Sequence, residues 1–418
     1  MPSSLISQRR FAIAGKAPKI KSGFDIATLL QDKNVTSRPW DVFSKTQNKF
    51  NKIKTEFTLV SLFSGCGGLD LGFHCAGFKT LWANDLNPDA SETYAAHLGP
   101  IAIGDIRKTE IPDLKGEVDV LAAGFPCQPF SNAGSRKGLD DGRGKLYQEA
   151  LKAISNIRPR VVVFENVRGI LSFKSGRKPL VEDICEELET LNYKCIFKLI
   201  DSSDHGVGQR RIRLFIVAVS KKESGKFNFP SKRPKAGLNI GFIIKGLNKK
   251  IPNQTELLPL NPQAVSLGAL IPEGGSWKNI PYRLLPERLK RIADNIEKYR
   301  WPNFYRRYHR NEIAGTITAA FKPENAGVWH PTLKRVFSVR EVARIQSFPD
   351  WYDFKGKTIK SKYEQIGNAI PPRLAYEIAL EIRKVLKGKD CGGDAMISND
   401  AFLKLNRPLR PSDPAIDF

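Results

Sequence analysis

The chain has 418 residues, of which 41% are hydrophobic and 10% aromatic, and it carries a formal net charge of +24. These values predict a folded protein with one large domain and one smaller one. No apolar run reaches the length of a membrane span and the N-terminus lacks the apolar core of a signal peptide, so we expect a protein of the cytoplasm. The six cysteines form no CxxC pair and the five histidines show no ligand spacing, which argues against disulfides and a metal.

The positive charge is concentrated in two stretches of the chain. Residues 1–55 hold 11 Lys and Arg against 3 acids, and residues 221–310 hold 19 against 6. Residues 56–220, in contrast, hold 20 against 21. A single charge run is usually a solvated surface, but this asymmetry favours a polyanionic partner.

Strands and helices alternate regularly after an irregular arm at 1–55, which holds one short predicted helix near Phe24–Gln31. The predicted strands include Phe57–Phe63, Thr80–Ala83, Val118–Ala122, Arg160–Phe164, Tyr193–Ile200 and Ile212–Val219. The predicted helices between them are Gly68–Ala76, Pro88–His97, Leu146–Ile157 and Asp183–Leu191. This alternation predicts an α/β fold with a doubly wound, mostly parallel sheet, and the last two strands predict an antiparallel pair at its edge.

The regular pattern stops at Ser220. Residues 221–310 are rich in Lys, Pro, Asn and Gly, which indicates a smaller domain inserted after the main domain at 56–220. Helical periodicity returns at Val339–Ile345 and Pro372–Leu386, so residues 311–386 are predicted to rejoin the main domain. The polar residues 387–418 are predicted to form a tail.

A glycine-rich turn, Ser61–Gly68, follows the first strand. Its glycines let backbone amides approach a ligand, and the start of the next helix attracts an anionic group. Leu71 stands where a third glycine of the dinucleotide motif would be. Taken alone, the turn could serve NAD, FAD, S-adenosylmethionine or no ligand.

Two acids, Asp85 and Asp105, each follow a short predicted strand. An acid about 20 residues beyond the glycines occupies the place where a ribose diol is bound, and Asp105 could accept from the amine of an adenine. The alternative for the first acid is helix capping, since Asp85 and Asn87 stand just before a helix that begins with proline.

Cys127 lies between two prolines directly after the fourth strand, in Gly124–Ser131. A cysteine there is in neither helix nor strand, and ligands of such sheets gather at this end of the strands. The pattern therefore favours a nucleophilic thiol over a buried structural cysteine.

Glu165 ends the fifth strand, and Arg211 and Arg213 stand at the start of the seventh. A carboxyl at a strand end can hydrogen-bond a base edge and transfer a proton. Arg211 and Arg213 stand two positions apart in a strand, so their side chains share one face and both can reach one site. Taken singly, Glu165 could form a structural salt bridge, and the arginines could lie on a solvated edge strand.

Six blocks, taken together and in order, resemble the DNA (cytosine-5)-methyltransferase family. They are FSGCGG at Phe63, PCQ at Pro126, ENV at Glu165, QRRIR at Gln209, REVARIQSFP at Arg340 and QIGNAIPP at Gln365. The resemblance covers about 57–220 and 311–386. It departs from many members at Ser61, where they have Asp, and at Asp85, where Glu is commoner.

The resemblance implies a Rossmann-like methyltransferase fold with S-adenosylmethionine as cofactor. It implies catalytic roles for Cys127, Glu165, Arg211 and Arg213. The implied cofactor contacts are Phe63, Ser64, Gly65, Gly67, Gly68, Asp85, Leu86, Asp105, Ile106, Pro126, Leu146 and Asn368.

The implied reaction flips a cytosine out of duplex DNA, adds Cys127 to carbon-6 and methylates carbon-5. Residues 132–145 would close over the site, and the insert would be the target-recognition domain. Arg306, Arg307 and Arg310 are candidates for guanine or phosphate contacts. We expect a monomer near the nucleoid of a bacterium or archaeon, with a cognate restriction endonuclease as its functional partner.

Three other functions compete with this interpretation. An RNA methyltransferase of the same family would not need the long basic insert. A catalytically silent DNA-binding regulator would not need Cys127, Glu165 and Arg213 together. A nicotinamide-dependent oxidoreductase conflicts with the missing third glycine and has no use for the insert.

Overall fold

The structure is a computed structural model that describes residues 47–126, 146–175, 178–298, 305–324 and 327–388. Cys127, the predicted closing loop 132–145, the arm helix predicted near Phe24–Gln31 and the tail beyond 388 lie outside these residues.

The described strands comprise one large sheet and one small hairpin. The strands are β1 (Phe57–Leu62), β2 (Phe78–Asp85), β3 (Ala102–Ile103), β4 (Val120–Ala123), β5 (Val161–Val167), β6 (Lys174–Ser175), β7 (Lys178–Pro179), β8 (Tyr193–Asp201) and β9 (Ile212–Ser220). The large sheet has the order β3-β2-β1-β4-β5-β9-β8, and β6 pairs with β7.

The sheet is mostly parallel, as predicted. β1 to β5 run in one direction, and β9 runs antiparallel to both of its neighbours, β5 and β8. The antiparallel pair predicted at the sheet edge is therefore confirmed. The reversed strand is β9, which is second from the edge, whereas the edge strand β8 keeps the common direction.

The described helices lie on both faces of this sheet and in the C-terminal half of the chain. They are α1 (Gln47–Phe50), α2 (Gly68–Cys75), α3 (Pro88–Leu98), α4 (Leu146–Ile157), α5 (Leu180–Thr190), α6 (Ile240–Ile243), α7 (Pro262–Ala269), α8 (Glu287–Asp294), α9 (Val339–Ile345), α10 (Ile359–Asn368) and α11 (Pro372–Leu386). The limits of α4, α9 and α11 agree with the prediction, whereas α10 was not predicted.

The strands are buried on both faces, which is why they appear as continuous apolar runs in the sequence. Leu59 of β1 packs with Phe73 of α2 and Ile378 of α11 on one side. The next residue, Val60, packs with Ile154 of α4 and Ile184 of α5 on the other side. The two faces are thus covered by different helices, which is the doubly wound arrangement.

The insert shares a hydrophobic core with the segment that follows it. Ile240, Trp277 and Ile292 belong to one buried cluster with Trp329 and Phe348. The core alone therefore does not separate 221–310 from 311–386, and the domain limits remain a prediction. Within the described residues, no helix is long and apolar enough to cross a membrane.

Candidate active site

The glycine turn leaves β1 and enters α2 with one side open. The Ser64 N–H donates to the Asn84 carbonyl at 2.9 Å, so the turn continues the β1–β2 pairing. Gly65 has a φ of +55°, and no atom of the described residues lies within 4 Å of the position that its Cβ would take. Three residues on, a Cβ at Gly68 would lie 2.3 Å from the Ile370 carbonyl oxygen. The turn therefore has a ligand-accessible side at Gly65 and a closely packed side at Gly68.

Asp85 is bound to this turn. Its two carboxylate oxygens accept from the backbone N–H of Gly65 and of Asn87, each at 2.7 Å. The cap of α3 is Asn87 itself, whose side chain accepts from Asp89 and Ala90. Burial raises the pKa of Asp85, and the two N–H donors oppose that effect. The structure thus joins Asp85 to the glycines and gives the capping role to its neighbour.

Two apolar side chains and one ion pair stand at the ends of β2 and β3. Leu86 is 69% exposed and Ile103 is 59% exposed, whereas the predicted contact Ile106 is buried. Asp105 faces Arg107, whose Nη2 is 2.5 Å from Oδ2. This guanidinium lowers the pKa of Asp105 to about 2. An adenine amine that binds Asp105 would therefore approach a carboxylate already paired with an arginine.

The segment that carries the predicted nucleophile begins beside Glu165. A Cβ at Gly124 would lie 3.9 Å from Glu165 Oε2. The Asn166 side chain donates to the Phe125 carbonyl at 3.2 Å, and the Phe125 ring contacts Phe164 edge-on at 5.6 Å between centroids. β5 thus fixes the first residues of the Pro126–Cys127 segment, of which Pro126 is the last described residue.

Glu165 is partly buried, with 11% of its side chain exposed, and lies near two arginines. Its Oε1 lies 3.4 Å from Arg213 Nε, because Arg213 pairs with Val167 and so shares a sheet face with Glu165. Burial raises the pKa of Glu165, and the positive charges of Arg213 and Arg211 oppose that rise. Arg211 is buried, and it donates to the Ile317 carbonyl at 2.9 Å. The structure therefore brings the three residues together, as the sequence suggested.

A segment that sequence reasoning missed, Ala314–Ala319, lies along the QRRIR block. Gln209 Oε1 accepts from the Ile317 N–H at 2.8 Å, and Thr316 donates to the Arg210 carbonyl at 2.8 Å. A Cβ at Gly367 would lie 2.4 Å from Ala319 N. The segment has no periodic pattern in the sequence, so nothing there predicted this position.

The C-terminal segment closes the packed side of the glycine turn. Asn368 is the exposed last residue of α10, and Ala369 and Ile370 lie against Gly68. The Gln346 side chain donates to the Ala369 carbonyl at 2.7 Å and holds this segment. The chain therefore returns to the end of the first strand. Leu146, at the start of α4, is buried in the core.

The arginines proposed to contact DNA have different surroundings. Arg307 is buried and donates to the carbonyls of four residues: Gly268, Ile271, His330 and Leu333. The expectation that Arg307 contacts DNA is corrected accordingly, because its donors are used inside the protein. Arg310 is 53% exposed and paired with Glu273 at 2.8 Å, and Arg306 is paired with Glu312 at 2.5 Å.

A mostly parallel sheet, a glycine turn after β1 and an acid at the end of β2 fit an S-adenosylmethionine-dependent methyltransferase. The family model of the C-5 cytosine-specific DNA methylases matches residues 57–384. The chain belongs to this family. It is therefore a DNA (cytosine-5)-methyltransferase with S-adenosylmethionine as cofactor, which excludes the oxidoreductase interpretation.

Relatives of the chain are bacterial methyltransferases. It is 35% identical over 357 residues to the type II methyltransferase M.NgoFVII of Neisseria gonorrhoeae, with 82% of this chain and 90% of that one covered. It is 32% identical over 350 residues to M.NgoPII of the same species, with 82% and 99% covered. The DNMT2 of Spodoptera frugiperda has the same fold, with a TM-score of 0.56, 16% identity and coverage of 78% and 100%.

Proposed function

We propose that this enzyme methylates carbon-5 of a flipped-out cytosine through a covalent bond between Cys127 and carbon-6. The observation that carries the proposal is the position of Glu165, which is partly buried, paired with Arg213 and adjacent to Gly124. A base that binds at the carboxyl ends of β4 and β5 would meet the Glu165 carboxyl group and the start of the cysteine segment together. In a stacked duplex neither group could reach it.

Glu165 has the chemistry that attack on carbon-6 requires. Burial raises the pKa of Glu165, which favours a form that can donate a proton to ring nitrogen 3 of cytosine. That proton withdraws electrons from carbon-6 and assists addition of the Cys127 thiolate there. Arg213 can hold the same carboxyl in place. When the proton on carbon-5 is lost at the end, the bond to Cys127 breaks, the thiolate is released and the proton on ring nitrogen 3 returns to Glu165.

The residues around the glycine turn fit S-adenosylmethionine, which supplies an electrophilic methyl group. The open side of Gly65 leaves room for a ligand beside backbone N–H groups. Asp85 can accept from a ribose diol with lone pairs that its two backbone donors leave available. Leu86 offers an exposed apolar surface for a flat ring.

The basic stretches are proposed to hold the DNA. Residues 221–310 would form the target-recognition domain, and the arm 1–55 would add contacts to phosphates that do not depend on sequence. Deletion of the arm should reduce the slope of DNA affinity against salt concentration, and an unchanged slope would exclude that role. Since relatives are type II methyltransferases, we also propose that the enzyme protects DNA from a cognate restriction endonuclease.

The covalent step can be tested by trapping. Fluorine at carbon-5 of cytosine cannot leave as a proton does, so the adduct with the enzyme persists. We expect duplex DNA containing 5-fluorocytosine to form a denaturation-resistant complex with the wild type and with the control Cys185→Ala. Cys127→Ala should form none, and Glu165→Gln should form it much more slowly.

The same variants distinguish the competing interpretations. Tritiated methyl transfer should label carbon-5 of cytosine in DNA with the wild type and Cys185→Ala only. Label on tRNA but not on DNA would favour an RNA substrate. Binding of DNA without any label would favour a silent regulator. Trapping by Cys127→Ala would show that another nucleophile performs the reaction.

A further inference from the structure

A buried carboxylate lies directly behind the cofactor turn. Asp70, the third residue of α2, is fully buried, and no ion pair to it is present among the described residues. It accepts instead from three hydroxyl groups, those of Ser61 at 2.8 Å, Tyr94 at 2.8 Å and Thr80 at 3.4 Å. Burial raises the pKa of Asp70 to about 6, and the hydroxyl donors oppose that rise. At neutral pH the ionised form is therefore accessible in spite of its burial.

The hydroxyl of Ser61 connects this carboxylate to the turn. Ser64 Oγ lies 2.9 Å from both the hydroxyl and the carbonyl oxygen of Ser61. An ionised carboxylate can only accept, so Ser61 must direct its single proton toward Asp70. Ser64 then meets two oxygens that have no proton to give it, and it must be the donor to one of them.

The direction of these bonds decides what Ser64 can offer to a ligand. Its only proton points inward, so its remaining lone pairs are available at the turn. Ser64 is half-buried, next to the open side of Gly65. An acceptor backed by a buried negative charge favours a cationic donor, and the α-ammonium group of the amino-acid part of S-adenosylmethionine is such a donor.

We propose that Asp70 is a positioning residue for the cofactor, which acts through Ser61 to keep Ser64 as an acceptor for the α-ammonium group. Asp70 itself does not touch the cofactor. Without the Asp70 carboxylate, Ser61 would be free to donate to Ser64 and occupy one of its lone pairs. Binding of the ammonium group would then weaken.

The test compares two ligands by calorimetry, so that it does not depend on catalysis. The ligands are S-adenosylhomocysteine and its analogue that lacks the α-amino group. In the wild type the amino compound should bind roughly tenfold or more tightly, which is the scale of one hydrogen bond to a charged group. In Ser64→Ala this ratio should fall to about 1–3, whereas Ser61→Ala should keep it, because Ser64 can still donate to the backbone carbonyl of residue 61. General damage to the site would weaken both ligands and leave the ratio unchanged.

Thr80→Val provides the matched control. It removes another hydrogen bond to Asp70 but leaves Ser61 and Ser64 connected, so the ratio should stay at the wild-type value. Asp70→Asn should lower the ratio, because the Ser61 hydroxyl is then free to donate to Ser64, and if that variant does not fold, Ser64→Ala decides. A ratio unchanged in Ser64→Ala or in folded Asp70→Asn, or lost equally in Thr80→Val, would overturn the proposal.

Discussion

Replacement of Arg307 by methionine tests whether this arginine supports the fold or contacts DNA. Met keeps an unbranched apolar side chain near the Trp329 ring, over which the guanidinium now lies at 5.6 Å, but it removes every hydrogen bond of the guanidinium. The carbonyls of Gly268, Ile271 and His330 then lose a buried donor, and that of Leu333 loses a partly buried one.

The expected loss of stability follows from these four carbonyls. A buried acceptor that loses its partner costs about 1 kcal/mol or more, so the three buried carbonyls and the partly exposed one together cost about 3–4 kcal/mol. Relief from burying a guanidinium, whose pKa burial lowers, works in the opposite direction and keeps the value near the lower end. Such a loss is a large fraction of a typical folding free energy but leaves the protein folded at low temperature.

Urea unfolding and DNA binding, measured on the same variants, distinguish a role of Arg307 in the fold from a role in DNA contact. Arg307→Met should lower the unfolding midpoint strongly, and its DNA affinity below the transition should match that of the wild type. The control Arg310→Met removes an exposed ion pair to Glu273 and should cost less than about 1 kcal/mol. The reasoning fails if Arg307→Met unfolds like the wild type while its DNA affinity or sequence preference changes.

Three further outcomes are expected. Gly68→Ala should weaken binding of S-adenosylhomocysteine, because its Cβ would displace the Ile370 carbonyl 2.3 Å away; calorimetry that finds wild-type affinity would contradict this. Cys185 and Cys195, with Sγ atoms 2.6 Å apart, should lose two thiols to a disulfide-forming oxidant such as diamide, as thiol titration against a Cys185→Ala control would show. His330, whose pKa burial lowers from 6.5 to about 4, should make unfolding at pH 5 easier than at pH 7.5 by about 2 kcal/mol, a difference that His330→Asn should remove.

The sign of the histidine effect follows from which state binds the proton. The unfolded chain takes up a proton near pH 6.5, whereas in the folded protein the pKa of His330 is about 4. Acidification through this window therefore favours the unfolded state. In the fold, His330 Nδ1 accepts from the backbone N–H groups of Thr332 and Leu333, and protonation there would break both bonds.

The sheet and its helices were predictable because burial leaves a local record in the sequence. Strands such as β5 are buried on both faces and appear as apolar runs, and α4 places its apolar residues at helical spacing. The site residues at strand ends could be found for the same reason, since a predicted strand fixes where its carboxyl end lies.

The features that were missed depend on contacts between distant parts of the chain. An arginine is usually a surface residue. Arg307 lies inside the protein because carbonyl groups from residues 268–333 accept its hydrogen bonds. Ala314–Ala319 has no periodicity, and its place is set by Gln209. α10 has few apolar residues. Tyr363 and Ile366 are buried because they pack into a cluster formed with other parts of the chain.

The closely packed side of the glycine turn has a consequence for how the enzyme is made. The Cys66 thiol meets the Gln365 carbonyl 299 positions later, whereas the last strand of the sheet ends at Ser220. When the last strand has been translated, the residues that pack against the turn have therefore not yet been made. Nascent chains and products terminated soon after Ser220 contain every strand of the sheet but cannot complete the turn. Methylation of the host's DNA should begin only when almost the whole message has been translated.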